Sequence, residues 1–252
     1  MKKTEPKTYY VRMARAGETD KVAAFYQDNK HHNVRERGKE ILKQHIDDGS
    51  VVIIEAEDGT IVASSVCYAH STTEDGKETV KWVEMGSTRI AGLNGFPGVF
   101  DIMSTTQILR SYLVEPPEDC FVAHMEHAPI QGIADRLGWR RLNDVPDGLL
   151  KSSDQTINAE DAKDRSKDWF RLGVEGLPVM AKYMMDALNK PTLTNKKTGE
   201  EIKISFERST FFKTFKTNIE NLAQRNYGSV DTPDLNQGVR QHRDTWLKRR
   251  FR

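Results

Sequence analysis

Ten residues, Arg89-Ile90-Ala91-Gly92-Leu93-Asn94-Gly95-Phe96-Pro97-Gly98, stand between a β-branched, aromatic run and an apolar helical one. Glycines at such a junction let successive backbone N–H groups converge on an anion at a helix start, where the helix dipole favours negative charge. The chemistry on offer is the grip of a diphosphate; the same residues also suit an ordinary structural turn. Upstream, strand alternation sets Glu84, Gly86 and Thr88 on one face, a carboxylate beside a small-residue surface. Downstream, His124 and His127 bracket Met125-Glu126. Strand residues three apart face opposite sides, which argues against a shared metal. Cys67 reads as an interior strand residue, since nothing near it in sequence would activate its thiol.

The elements that must position these groups are legible in outline. Residues 8–14 read as a strand. Gly17-Glu18-Thr19-Asp20 starts a helix carrying Val22, Ala23, Phe25 and Tyr26, and a second helix over 36–46 carries Ile41, Leu42, His45 and Ile46 until Asp48-Gly49 stops it. Strands over 51–57 and 60–69 flank Asp58-Gly59, expected to be a type I′ hairpin turn. After a polar loop with Asp75-Gly76, a strand runs over about 79–90, then a helix over 99–113 that Pro116-Pro117 terminates. A strand over 120–125, a helix from Pro129 to Leu137 capped by Gly138, and a strand from Trp139 complete a sheet domain over about residues 1–148.

Residues 149–168 are polar and read as a linker or loop. Beyond them, 169–252 reads as a mainly helical C-terminal region: a helix over 169–188 interrupted at Gly176-Leu177-Pro178, a short strand over 201–206, and an amphipathic helix over 209–225. The methionine-rich stretch 179–185 reads as core at helical spacing, with an acyl channel as its functional alternative. The basic stretch 240–252 reads as a solvated terminal helix, or as a contact for nucleic acid or an acidic carrier protein.

In 252 residues, 38 basic side chains meet 37 acidic ones, so bulk charge points to no polyanionic partner. Two cysteines make neither a disulfide framework nor a cysteine-rich zinc site, and reducing cytosol is the expected compartment. No apolar leader opens the sequence and no apolar run reaches transmembrane length.

The order of elements, with the Arg89-x-x-Gly92 loop and the Gly138-Trp139 ending, resembles the GNAT superfamily of N-acetyltransferases over residues 8–145. The family's loop reads Gln/Arg-x-x-Gly-x-Gly/Ala; here Asn94 replaces the last small residue and Gly95 follows one position late. The family's later segment commonly ends Tyr-x-x-x-Gly-Phe, and here Ala134 stands where that Tyr would be. The resemblance implies an α/β (α+β) fold with a mixed, mostly antiparallel sheet flanked by helices, and a largely helical C-terminal extension. It implies an N-acyltransferase that moves an acyl group, expected to be acetyl, directly from acyl-CoA to an amine on a small molecule or protein, without a metal. Glu84 becomes the general base, directly or through a water. Met85, Gly86 and Ser87 lie where the family's backbone polarises the thioester, and Arg89, Gly92, Leu93, Asn94, Gly95, Phe96 and Gly98 where it binds the donor. With the family's Tyr acid missing, Tyr68, His124 and His127 stand as substitutes, or the thiolate leaves unaided. Two alternatives remain: a non-catalytic GNAT-like adaptor, or an acyltransferase using an acyl carrier protein as donor. The acceptor is set by loops such as His31-His32-Asn33 and 71–78 and by the C-terminal region.

Overall fold

The computed structural model describes residues 5–30, 38–126, 128–143, 145, 146, 148, 149 and 168–225. His31-His32-Asn33, His127, the polar stretch 150–167 and the basic tail 240–252 lie outside the described residues.

Strands β1 (Lys7–Met13), β2 (Val51–Ala56), β3 (Ile61–Glu74) and β4 (Lys77–Ile90) form an antiparallel series built on two different turns. The type I′ turn sits at Asp75-Gly76, where both residues have positive φ (51° and 74°), and not at Asp58-Gly59. The earlier hairpin instead closes through a three-residue loop. Gly59 (φ 88°) donates to Ala56 O at 3.0 Å and Ala56 donates to Thr60 O at 2.8 Å. That correction lengthens β3 to fourteen residues and sets its far end beside the whole of β4.

Among the described residues the helices are α1 (Thr19–Asp28), α2 (Lys39–Asp47), α3 (Val99–Val114), α4 (Ala128–Arg136), α5 (Leu177–Asn189) and α6 (Thr210–Ala223). The remaining strands are β5 (Cys120–His124), β6 (Arg140–Arg141), β7 (Trp169–Leu172), β8 (Thr192–Thr194) and β9 (Glu201–Ser205). One sheet holds all nine strands in the order β6-β7-β5-β4-β3-β2-β1-β9-β8. Only β4–β5 and β1–β9 pair in parallel. The mixed, mostly antiparallel sheet flanked by helices is therefore present.

Residues after 168 contribute three strands to this sheet. Trp169–Leu172, read from sequence as the start of a helix, is β7 and lies between β5 and β6. A single 3₁₀ turn, Val174–Gly176, then leads into α5 with Pro178 in its first turn.

α1 and α2 pack Val22, Phe25, Leu42 and Ile46 on one face of the sheet, against Val51, Ile53, Val66 and Tyr68. On the opposite face α3 lies beneath α5 and α6, with Met103, Ile108, Met180, Met184 and Ile219 fully buried. Met180 and Met184 are thus core residues, as their spacing predicts. Because both sides of α3 are covered, its Ser104, Thr105, Thr106 and Gln107 are buried as well.

A buried ion-pair network ties β1 and β2 to the segment that leads into α6. Arg12 Nε and Nη2 donate to Glu55 at 3.0 and 2.6 Å, and Nη1 and Nη2 donate to Glu18 at 2.7 Å. Arg208, just before α6, donates to Glu55 Oε1 at 3.0 Å and lies 3.6 Å over the Tyr10 ring. Burial pushes the Glu55 carboxyl up, but hydrogen bonds from Arg12 and Arg208 outweigh it and hold it down at about 2, from the usual 4.5. The unfolded chain therefore takes up this proton near pH 4.5 while the folded chain refuses it until about pH 2. The stabilisation is full above 4.5 and disappears as pH falls from there through 2. Glu55→Gln is expected to lose about 3 kcal/mol of unfolding free energy at pH 7, with the gap to wild type narrowing towards pH 3. Denaturant titrations at both pH values measure it; a pH-independent gap would refute it.

Candidate functional site

β4 and β5 pair through Trp82–Cys120, Val83–Phe121 and Glu84–Val122, and there the pairing stops. β4 continues to Ile90 bonded to β3, while Ala123 and His124 of β5 bond to Phe170 and Trp169 of β7. Two parallel strands that separate in this way leave a wedge open between their C-terminal ends. Among the described residues, Met85–Ile90 has no sheet neighbour on that side, so part of its backbone N–H row faces the wedge.

The bank formed by β4 is bulged. Val66 pairs with Gly86 and Ser64 with Arg89, so one extra residue sits on β4 opposite Ser65. Ser87 takes the left-handed conformation, φ 47°, that glycine normally supplies at such a bulge. This breaks the alternation expected for the strand. Glu84 and Gly86 do share the face of α1 and α2, but Thr88 turns to the α3 face, where its hydroxyl meets Ser65 Oγ. Tyr26 Oη donates to Ser87 O at 2.8 Å, and Tyr68 Oη and Ser87 Oγ share a hydrogen bond of 2.5 Å.

Glu84 lies opposite Tyr68, and its carboxylate Oε2 accepts from His70 Nε2 at 2.8 Å. The other oxygen, Oε1, would be 3.5 Å from a Cβ at Gly86 and so points along the strand towards the bulge. Such a Cβ would also lie 2.9 Å from Tyr68 Cε2, so only glycine lets that ring pack on the strand. His124 is two residues past the last β4–β5 pair, level with Gly86 on the other bank and on the same face as Glu84. Its ring packs 5.4 Å from the Trp169 ring, and Nδ1 is 3.7 Å from Glu126. By register Glu84, Gly86 and His124 thus lie on one face of the sheet, on the two banks of the wedge. Met85 points the other way into the α3 core.

The 89–98 loop is partly open. Ala91 N–H donates to Val62 O, Phe96 N–H to Leu93 O, and Val99 N–H to Phe96 O. The N–H groups of Gly92, Leu93, Asn94 and Gly95 have no hydrogen-bond partner among the described residues. Around Gly92 (φ 78°) there is open space. Leu93 and Phe96 anchor the loop by burying their side chains in the core. Asn195, at the β8–β9 turn, docks its side-chain amide on Gly95 and accepts from the Lys197 N–H through Oδ1. Arg89 Nε donates to Asn29 O at the end of α1, 2.7 Å away.

The start of α3 is closed. A Cβ at Gly98 (φ 98°) would meet Tyr183 Oη at 3.0 Å and Leu193 at 3.3 Å. Asp101 fills the first turn; burial pushes its carboxyl up, against the pull of Arg136 and a hydrogen bond from Tyr183. Burial and Asp101 together push the Tyr183 phenol up. Main-chain N–H groups without a partner thus remain on the loop, Gly92 to Gly95, while Asp101 sits at the positive end of the α3 dipole.

Ala134 is 1% exposed and presents no proton donor. Burial pushes both the Cys67 and Cys120 thiols up to about 12, which keeps them protonated. Among the described residues no cluster of His, Cys, Asp or Glu is arranged to hold a metal ion, and no helix is long and apolar enough to cross a membrane. His70, Tyr26, Ser65 and Asn195 were not singled out from the sequence. For His70 the signal was present, since it shares a β3 face with Val66 and Tyr68.

No protein-family model matches the chain, and no curated protein matches it. Solved structures do. A GCN5-related N-acetyltransferase from Kribbella flavida is 14% identical with a TM-score of 0.41, covering 54% of this chain and 33% of its own. N-acetylglutamate synthase from Neisseria gonorrhoeae, solved with coenzyme A and N-acetyl-glutamate, is 16% identical with a TM-score of 0.45, covering 66% and 35%. A GNAT family N-acetyltransferase from Escherichia coli, solved with CoA, is 8% identical with a TM-score of 0.45, covering 70% and 88%. The chain spans about a third of the length of the first two. The likeness is one of fold, to N-acetyltransferases of the GNAT type, at low identity and over part of the chain.

Proposed function

We propose that the chain is an N-acyltransferase that moves an acyl group from acyl-CoA to an amine by direct transfer in the β4–β5 wedge. The observation that carries this reading is the parting of the two strands after Glu84 and Val122, with a bulge at Ser87 on the open bank. The thioester lies along that bank, where backbone N–H groups beside Ser87 accept the charge that develops on its carbonyl oxygen. Glu84, oriented by His70, takes the proton from the attacking amine through Oε1, directly or through a water. The amine nitrogen bonds to the carbonyl carbon, the C–S bond breaks, and the thiolate leaves with its electron pair. His124 on the facing bank, His127, or Tyr68 through Ser87 returns a proton to it. Gly92 to Gly95 donate to the donor's diphosphate, with Asn195 bracing the loop.

Titration calorimetry with acetyl-CoA and with free coenzyme A tests the reading. Gly92→Asp brings a carboxylate to the phosphate donors and is expected to weaken acetyl-CoA binding about 10- to 100-fold. A second reading, a non-catalytic binding module, is favoured by the closed α3 start and the absence of a donor at Ala134. A wild-type chain that binds neither compound would leave that second reading or an acyl carrier protein as the donor.

A further inference from the structure

Ser87 is one of two non-glycine residues among those described with positive φ, and unlike Asp75 it is not at a hairpin turn. Hydrogen bonds reach it from one face of the sheet and its two neighbours from the other. From the α1 side, Tyr26 donates to its carbonyl and Tyr68 bonds its hydroxyl. From the α3 side, Ser65 Oγ lies between Gly86 O at 3.2 Å, the Thr88 hydroxyl and Gln107 Oε1 at 2.8 Å, gripping the residues before and after Ser87. These partners come from α1, β3 and α3, far apart in sequence.

Gln107 is the telling member. It is 1% exposed, and in either orientation of its amide one polar atom has no partner among the described residues. A leucine would remove that unpaired buried atom, and Ser65 would keep Gly86 O and the Thr88 hydroxyl as partners. A buried amide kept at such a disadvantage points to a role in geometry.

We propose that Tyr26, Tyr68, Ser65 and Gln107 are positioning residues that lock the Ser87 bulge and so aim its N–H groups into the wedge. The inference rests on the acyltransferase reading. Each lost bond lets the β4 bank relax towards regular strand geometry, in which those N–H groups turn away from the developing oxyanion. The substrate still binds, because the loop that holds its phosphates is untouched.

The test measures kcat and KM for acetyl-CoA in the full chain, with the best amine of a panel or with water as acceptor, beside the melting temperature. Gln107→Leu is expected to lower kcat about tenfold with KM unchanged, while the melting temperature holds or rises. Tyr68→Phe and Ser65→Ala are expected to lose a similar factor, and Ser65→Thr to recover most of it. Amide exchange at Ser87 and Thr88 should speed up in all three impaired variants. If Gln107→Leu fails to fold, Ser65→Ala carries the same comparison, since Ser65 has no part in the proton transfers. Variants that keep the wild-type kcat, or that lose melting temperature and kcat in proportion, overturn this inference alone. A wild-type chain that neither binds nor turns over acetyl-CoA overturns the acyltransferase reading, and this inference with it.

Discussion

Glu84→Gln is expected to lower kcat for acyl transfer by about 10²- to 10⁴-fold, the usual span for loss of a positioned general base. Glutamine keeps the size of the side chain and can still meet His70, so the fold and acyl-CoA binding should survive. What it cannot do is accept the amine proton at Oε1, the oxygen directed towards Gly86. The loss should therefore be larger below the acceptor's pKa, where the amine arrives protonated, than above it. Rates across that range, with an acceptor of known pKa, measure the effect. A variant as active as wild type at every pH would remove Glu84 from the chemistry.

A fragment ending at residue 148 is expected not to fold. It lacks β7, the strand between β5 and β6, so β6 would have no partner and the β5 edge would be bare. It also lacks α5 and α6, which cover the outer side of α3, and β9, the parallel neighbour of β1. Phe170, Leu172, Leu177, Met180, Met184 and Ile204 are each at most 1% exposed. At about 1.5–3 kcal/mol for each large apolar side chain fully buried, their combined loss rivals the 5–15 kcal/mol by which a domain is typically stable. Glu55 would also lose Arg208. Soluble yield and a calorimetric melt of the fragment against the full chain decide the matter, and a cooperative melt of the fragment would refute the expectation.

The sequence carried the element order because hydrophobic periodicity and punctuation are local. Pro116-Pro117 after α3, Ser209 capping α6 through Phe212 N–H, and Pro178 opening α5 all act within one turn of the helix they delimit. Register is not local. Counted outward from Asp75-Gly76 without interruption, Glu84 would face Cys67; an extra residue at Lys81 shifts it opposite Tyr68, beside His70. A second extra residue at Ser87 sends Thr88 to the other face. Neither Lys81 nor Ser87 is a residue type that announces a bulge, so the partners of Glu84 and the true face of Thr88 could be found only in three dimensions. β7 was unreadable for another reason. Four residues, Trp169-Phe170-Arg171-Leu172, are too few to distinguish alternation from a helical turn, and the strand is fixed by two neighbours already in place. Arg89 was legible as a cation but not as a tie to Asn29, sixty residues away.

The sheet's outermost strands are its shortest, β6 with two residues and β8 with three. Among the described residues, an incoming chain seeking to extend the sheet finds only two or three main-chain positions at either margin. At the β6 margin it also meets the exposed Arg140 and Arg141. Stubby, charged margins discourage intermolecular strand addition. The long, apolar strands that would template fibrils are kept inside, each between two paired neighbours.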